Sequence, residues 1–268
     1  MRNLNKKVVL VIVALVVLLG GVGAFAMMRG KSSKMAASPT PKPKLSLPEN
    51  VIPVSERPFV ELQPTAGREV LIQIDDLKKK AESVDFELEY SAGDKEEAAI
   101  GALTFNGNPP YKKTILLGSQ SGGGKITYHD GVTGGVLALT FYDENYKLSN
   151  EWSYIDNKKP ATGFSSRDGK FQIETAKLFN SAGYVIVYNN PGLPAEQTGT
   201  LLAGPYSISS SGAFPTGKAT VTLRLAEEKP ATIYGWTGSA WKALTTTVTG
   251  KQAKAEGDLF ITYIAVEK

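Results

Sequence analysis

From residue 58 onward, apolar and polar positions alternate with period two. Val84, Phe86, Leu88 and Tyr90 share one face of an extended segment, and Asp85, Glu87 and Glu89 share the other. Successive side chains of a strand point to opposite faces, so this pattern predicts a half-buried strand with a solvated acidic face. Val70, Ile72 and Ile74 alternate in the same way, as do Leu137, Leu139 and Phe141. Val221, Leu223 and Leu225 alternate with Thr220, Thr222 and Arg224. Two runs, Tyr184 to Tyr188 and Leu259 to Val266, are apolar on both faces, as in strands covered from both sides. Turn residues separate these segments at Ser91–Asp94, Asn106–Pro110 and Ser121–Gly124. Asp75 to Glu82 is expected to form one helical turn between strands. About seven short strands per roughly 100 residues is the signature of an antiparallel sandwich. The expected fold is all-β: two consecutive antiparallel β-sandwich domains, 58–157 and 158–268, after an N-terminal transmembrane helix and a Pro-rich linker. The boundary is expected within Asn157–Gly169.

The first 57 residues have a different pattern. Arg2, Lys6 and Lys7 precede a run from Val8 to Met28 that contains no charge. Those 21 residues, as a helix rising about 1.5 Å per residue, span roughly 31 Å, enough for a hydrocarbon core of about 30 Å. Residues 1–7 are therefore expected as a cytoplasmic tail and 8–28 as a transmembrane signal anchor in the lipid bilayer. A cleaved signal peptide is the competing reading, because Ala24-Phe25-Ala26 has the small-x-small form of a cleavage site. The run exceeds the usual 7–15 residues of such a peptide, which favours the anchor. Arg29, Lys31 and Lys34 nearly balance the upstream cations, so orientation rests on the nature of the C-terminal body. That body has the look of an exported cargo, giving a cytoplasmic N-terminus and extracytoplasmic C-terminal domains in the cell membrane. Residues 29–57, with Pro39, Pro41, Pro43, Pro48 and Pro53, are expected as an extended linker.

Charge sharpens this division. Residues 1–57 hold nine Lys/Arg and two Asp/Glu, net +7, whereas residues 58–268 hold 21 and 24, net −3. The basic excess thus lies at the membrane flank, where it meets anionic headgroups. The folded part lacks the cations to neutralise a phosphate backbone, which argues against nucleic acid as a partner. Residues 58–157 are net −7 and residues 158–268 net +4, opposite signs that weakly favour docking of the two halves. There is no cysteine, which excludes disulfides, thiolate zinc sites and lipoprotein acylation.

Few residues suggest chemistry. Gly122-Gly123-Gly124-Lys125 lacks the leading Gly and the Ser/Thr after Lys of a phosphate loop, and reads as a hairpin turn. His129 is the one histidine in the chain, beside Asp130; by itself it supplies neither a multi-histidine metal site nor an evident triad. Paired carboxylates occur at Asp75/Asp76, Glu96/Glu97 and Asp143/Glu144, and read as solvated strand ends and turns. Asp143-Glu144-Asn145 offers oxygen ligands for calcium without a full loop motif. No cofactor and no metal are expected. Tyr234, Trp236 and Trp241 are the candidate binding residues: flat aromatics on a sandwich stack against sugar rings, and the alternative is that they pin a hairpin to the core.

The segment Tyr234-Gly-Trp236-Thr-Gly-Ser-Ala-Trp241-Lys-Ala-Leu244 resembles the Tyr-x-Trp-Asp-Gly-x-x-Trp-x-x-Leu hairpin of bacterial surface β-sandwich domains, with Thr237 in the place of Asp. The Ile74–Tyr90 stretch is similar to immunoglobulin- or fibronectin-type modules of uncharacterised bacterial membrane-anchored surface proteins. The resemblance spans residues 58–268 loosely and implies a surface location.

The expected function is that of a non-enzymatic, extracytoplasmic, membrane-tethered structural or interaction protein of the cell envelope, with envelope proteins or cell-wall glycans as partners. The alternatives are a glycan- or cell-wall-binding module that uses the aromatic hairpin, and an extracytoplasmic hydrolase.

Overall fold

A computed structural model describes residues 47–66, 68–156, 163–175 and 183–268. The expected cytoplasmic tail, the anchor and linker residues 29–46 lie outside the described residues. No helix among the described residues is long and apolar enough to cross a membrane.

The described residues are all-β, with antiparallel pairing between the named strands, apart from a short 3-10 turn at Val54–Glu56. The first nine strands are β1 (Val60–Pro64), β2 (Glu69–Ile74), β3 (Ala81–Ala92), β4 (Lys95–Thr104), β5 (Tyr111–Leu116), β6 (Gly118–Gln120), β7 (Ile126–Tyr128), β8 (Val132–Asp143) and β9 (Tyr146–Asp156). The remainder are β10 (Gly163–Ser165), β11 (Phe171–Glu174), β12 (Tyr184–Asn189), β13 (Leu201–Ser210), β14 (Lys218–Arg224), β15 (Ala231–Trp236), β16 (Trp241–Ala243), β17 (Thr246–Thr249), β18 (Gln252–Asp258) and β19 (Thr262–Glu267). Residues 75–80, where the sequence predicts a helical turn, are irregular and lead directly into β3. The expected turns join β3 to β4 and β6 to β7, residues 106–110 connect β4 to β5, and the hairpin that the aromatic segment resembles is formed by β15 and β16.

Nine strands form one sheet in the order β16-β15-β19-β13-β12-β9-β8-β3-β4. A three-stranded sheet, β1-β2-β5, and a five-stranded sheet, β10-β11-β14-β18-β17, complete a sandwich-like arrangement. Two large apolar clusters result. One joins Val60, Ile72 and Ile74 to Phe86, Leu88, Leu139 and Trp152. The other joins Phe171, Val221 and Leu223 to Tyr206, Ile233 and Tyr263.

β12 explains how the two cores relate. Val185 and Val187 belong to the second cluster, whereas Ile186 and Tyr188 belong to the first. Alternate residues of a strand face opposite ways, so the two cores lie on opposite faces of the shared sheet. This is why Tyr184 to Tyr188 is apolar on both sides. β12 pairs with β9 through Val185↔Ile155, Ile186↔Tyr154 and Tyr188↔Trp152, so the two sequence halves are hydrogen-bonded into one sheet. β19 lies between β15 and β13 and is likewise buried on both faces.

Candidate functional site

The aromatic hairpin is built by β15, β16 and the turn between them. Ala231, Ile233 and Gly235 face the second core; Thr232, Tyr234 and Trp236 face the other way. Gly235 is required by its neighbour, because a Cβ there would lie 2.2 Å from the Phe260 ring. In the turn, the Thr237 hydroxyl accepts hydrogen bonds from Ala240 N–H at 3.0 Å and Ser239 N–H at 3.4 Å. A threonine oxygen thereby does the turn-capping that an aspartate carboxylate would do.

Trp236 and Trp241 are direct cross-strand partners, with ring centroids 5.3 Å apart and planes tilted by 59°. All three candidate aromatics are half-buried. Tyr234 and Trp241 pack against a small cluster of Leu193, Ile264 and Val266. The Trp241 indole N–H donates to the Ala195 carbonyl at 3.3 Å. The structure therefore brings Tyr234, Trp236 and Trp241 together on the sheet face opposite the second core. Trp241 has more holding it than Trp236, so Trp241→Ala is expected to cost about 2 kcal/mol of stability and Trp236→Ala about 1 kcal/mol. Thermal or urea melts of the two variants check the order.

The other sequence candidates fall into structural roles. The His129 Nδ1 lies 3.1 Å from the Tyr90 hydroxyl, and Asp130 pairs with Arg68 at 2.7 Å. Gly122 to Lys125 closes the β6–β7 hairpin, with Ser121 N–H donating to the Lys125 carbonyl. Asp143 and Glu144 turn β8 into β9 and pair with Lys80 and Lys79 at 3.0 and 3.2 Å. Among the described residues, no group of three or more His, Cys, Asp or Glu is placed to hold a metal ion.

A second site was not legible as a motif. β12 ends at Asn189, while β9 and β13 on either side extend further. Beyond that end the sheet has a notch. Residues 47–57 enter beside it: Glu49 bridges Lys147 in parallel, and the Asn50 side chain bonds both N–H and C=O of Ser149. Asn190 fixes the opposite wall. Its amide N–H groups donate to Val60 C=O at 2.7 Å and the Ser207 hydroxyl at 3.1 Å, and its oxygen accepts from Val60 N–H and Gly192 N–H. Gly192 permits close approach, since a Cβ there would sit 2.3 Å from the Arg57 carbonyl oxygen. The result is an open cleft of about 410 Å³. The only hint of it in the sequence is the net +4 charge of residues 158–268, which says nothing about position.

The fold and these sites define an all-β, sandwich-like protein with an aromatic hairpin face and a polar notch. No protein-family model, curated protein or solved structure matches the chain.

Proposed function

We propose that this chain is a non-enzymatic, extracytoplasmic, membrane-tethered structural or interaction protein of the cell envelope. The observation that carries the reading is the order of segments in the sequence. Three cations precede a 21-residue uncharged run; a Pro-rich stretch comes next, and then an all-β body. In this reading residues 8–28 are a signal anchor in the bilayer and residues 29–57 a spacer. Residues 58–157 and 158–268 are then the two immunoglobulin- or fibronectin-like halves held outside the cytoplasm. Protease added to intact cells or spheroplasts is expected to remove the C-terminal part while a cytoplasmic marker survives. An uncut C-terminal part overturns the topology.

The aromatic face supports a second reading, a glycan- or cell-wall-binding module. Trp236 and Trp241 are half-exposed side by side, the form a sugar-stacking platform takes. Trp236→Ala with retained folding and lost retention on cell-wall polysaccharide favours this reading. Unchanged retention removes its support.

A further inference from the structure

The nine-stranded sheet ends in an open edge. β4 is its last strand and, among the described residues, pairs with β3 alone. The pairing runs from Ser83↔Thr104 to Ala92↔Lys95 without a bulge. The Phe105 N–H donates to the Glu82 carbonyl at 2.9 Å, which continues the same register. Hydrogen-bonded residues alternate along an antiparallel strand, so the odd-numbered residues of β4 bond to β3. Glu96, Ala98, Ile100 and Ala102 therefore turn their N–H and C=O groups away from the sheet. Among the described residues, no other group bonds to these N–H and C=O groups.

The other sheet edges are short or guarded. β6, β7, β10 and β16 have three residues each and β17 has four. β5 carries Lys112 and Lys113. β1 ends in Pro64, and the side chains of Asn190 and Ser209 bond to its backbone. β4 has ten residues, no proline, and no charge from Ala98 to Thr104. A long, regular, uncharged edge is a template for strand addition.

The side chains of this edge indicate which strand it takes. Ala98, Ile100 and Ala102 share the outer face, and Ile100 is 74% exposed, the highest value among the exposed large apolar residues described. Gly101 faces the core, where a Cβ would lie 2.5 Å from the Phe86 ring. The segment is nearly symmetric about Ile100, with Ala99 and Gly101, then Ala98 and Ala102, on either side. A two-fold axis through Ile100 sets Ile100 against its own counterpart, Ala98 against Ala102 and Glu96 against Thr104. No acid then faces an acid, an arrangement that would be destabilising. An axis at Ala98 would set Glu96 against Ile100 instead. Asp85, Glu87 and Glu89 lie one strand behind, on β3. In such a pair the two acidic rows are three strand spacings apart, about 14 Å. That exceeds the screening length of about 8 Å at physiological salt.

We infer that β4 pairs antiparallel with β4 of a second copy of this chain, joining the two nine-stranded sheets across a two-fold axis at Ile100. The three central residue pairs supply about six backbone hydrogen bonds. The two Ile100 side chains meet on the outer face. Identical edges pair, so the assembly closes at two copies. The pairing needs neither the anchor nor the aromatic hairpin, so the protease experiment and the pairing experiment fail separately.

The test uses the full chain in detergent, and the absence of cysteine makes it direct. In the proposed pair, the thiol introduced by Ile100→Cys has its Cα about 5.5 Å from that of its counterpart, within disulfide reach. The thiol introduced by Glu96→Cys, four residues along the strand, is roughly 27 Å from its counterpart. Mild oxidation is expected to link Ile100→Cys into a dimer at least tenfold faster than Glu96→Cys. Sedimentation equilibrium of the unsubstituted chain should show a concentration-dependent dimer. Ile100→Lys sets two cations together on the axis and should weaken dimerisation at least tenfold, with an unchanged melting temperature in dilute solution. Crosslinking of Ile100→Cys no faster than that of Glu96→Cys overturns the proposal, whether the edge is bare or taken by an unlike strand. So do a chain that stays monomeric in sedimentation and a dimer that survives Ile100→Lys, which would place the contact elsewhere.

Discussion

Trp152→Ala is expected to lower the stability of the folded part by about 3–5 kcal/mol, the range for emptying a large aromatic site in a core. Trp152 is fully buried at the centre of the first cluster. Its ring meets Tyr154 edge-on at 6.2 Å and is the register partner of Tyr188 on β12. Its indole N–H donates to the Glu89 carbonyl on β3 at 3.2 Å, so truncation removes a donor as well as volume. Urea unfolding should show a lower midpoint with an unchanged slope, since the surface exposed on unfolding stays the same. Trp152→Phe should recover part of the loss by refilling the space without the hydrogen bond. A loss below about 1 kcal/mol for the alanine variant would mean that the site collapses or that the ring is not packed as described.

Asn190→Leu is expected to cost about 3 kcal/mol or more. The side chain is 1% exposed and serves four groups on three segments. Leucine has similar bulk but leaves Val60 N–H, Val60 C=O, Gly192 N–H and the Ser207 hydroxyl short of a partner. Each such buried group costs roughly 1–3 kcal/mol, although relaxation and residual partners reduce the sum. Amide exchange is the more discriminating measurement. Val60 and Gly192 should lose protection more than the centre of β3, because the link between β1 and the end of β12 is what fails. Uniform loss of protection across the sheet would instead point to global destabilisation.

Much of the local structure was legible because one physical rule governs it. Val84, Phe86, Leu88 and Tyr90 are all buried, and the intervening acids lie toward solvent, as alternation demands. Gly93, Gly107 and Gly124 take positive φ at the turns the sequence marked. The irregular path at residues 75–80 shows where local reading failed. Asp75, Asp76 and three lysines do not oppose a helical turn by composition, but the stretch must carry the chain from the three-stranded sheet to the nine-stranded one. The candidate aromatics were legible as a hairpin. Their half-buried state was not, because it depends on Leu193 and Ala195 from a distant loop.

The sequence by itself determined an all-β antiparallel body, the positions of fewer than half of its strands and of several turns, and the separation of a basic, Pro-rich N-terminal region from a weakly acidic folded part. These come from side-chain periodicity, turn chemistry and charge, which are properties of neighbours along the chain. Only the tertiary structure decided that β9 and β12 join the two halves in one sheet with a core on each face. It alone placed Arg57, Lys170, Arg224 and Lys251 around the notch at the end of β12. Alternation states which face of a strand is buried but not which strand lies beside it, and a site made from four distant segments exists only once that pairing is set.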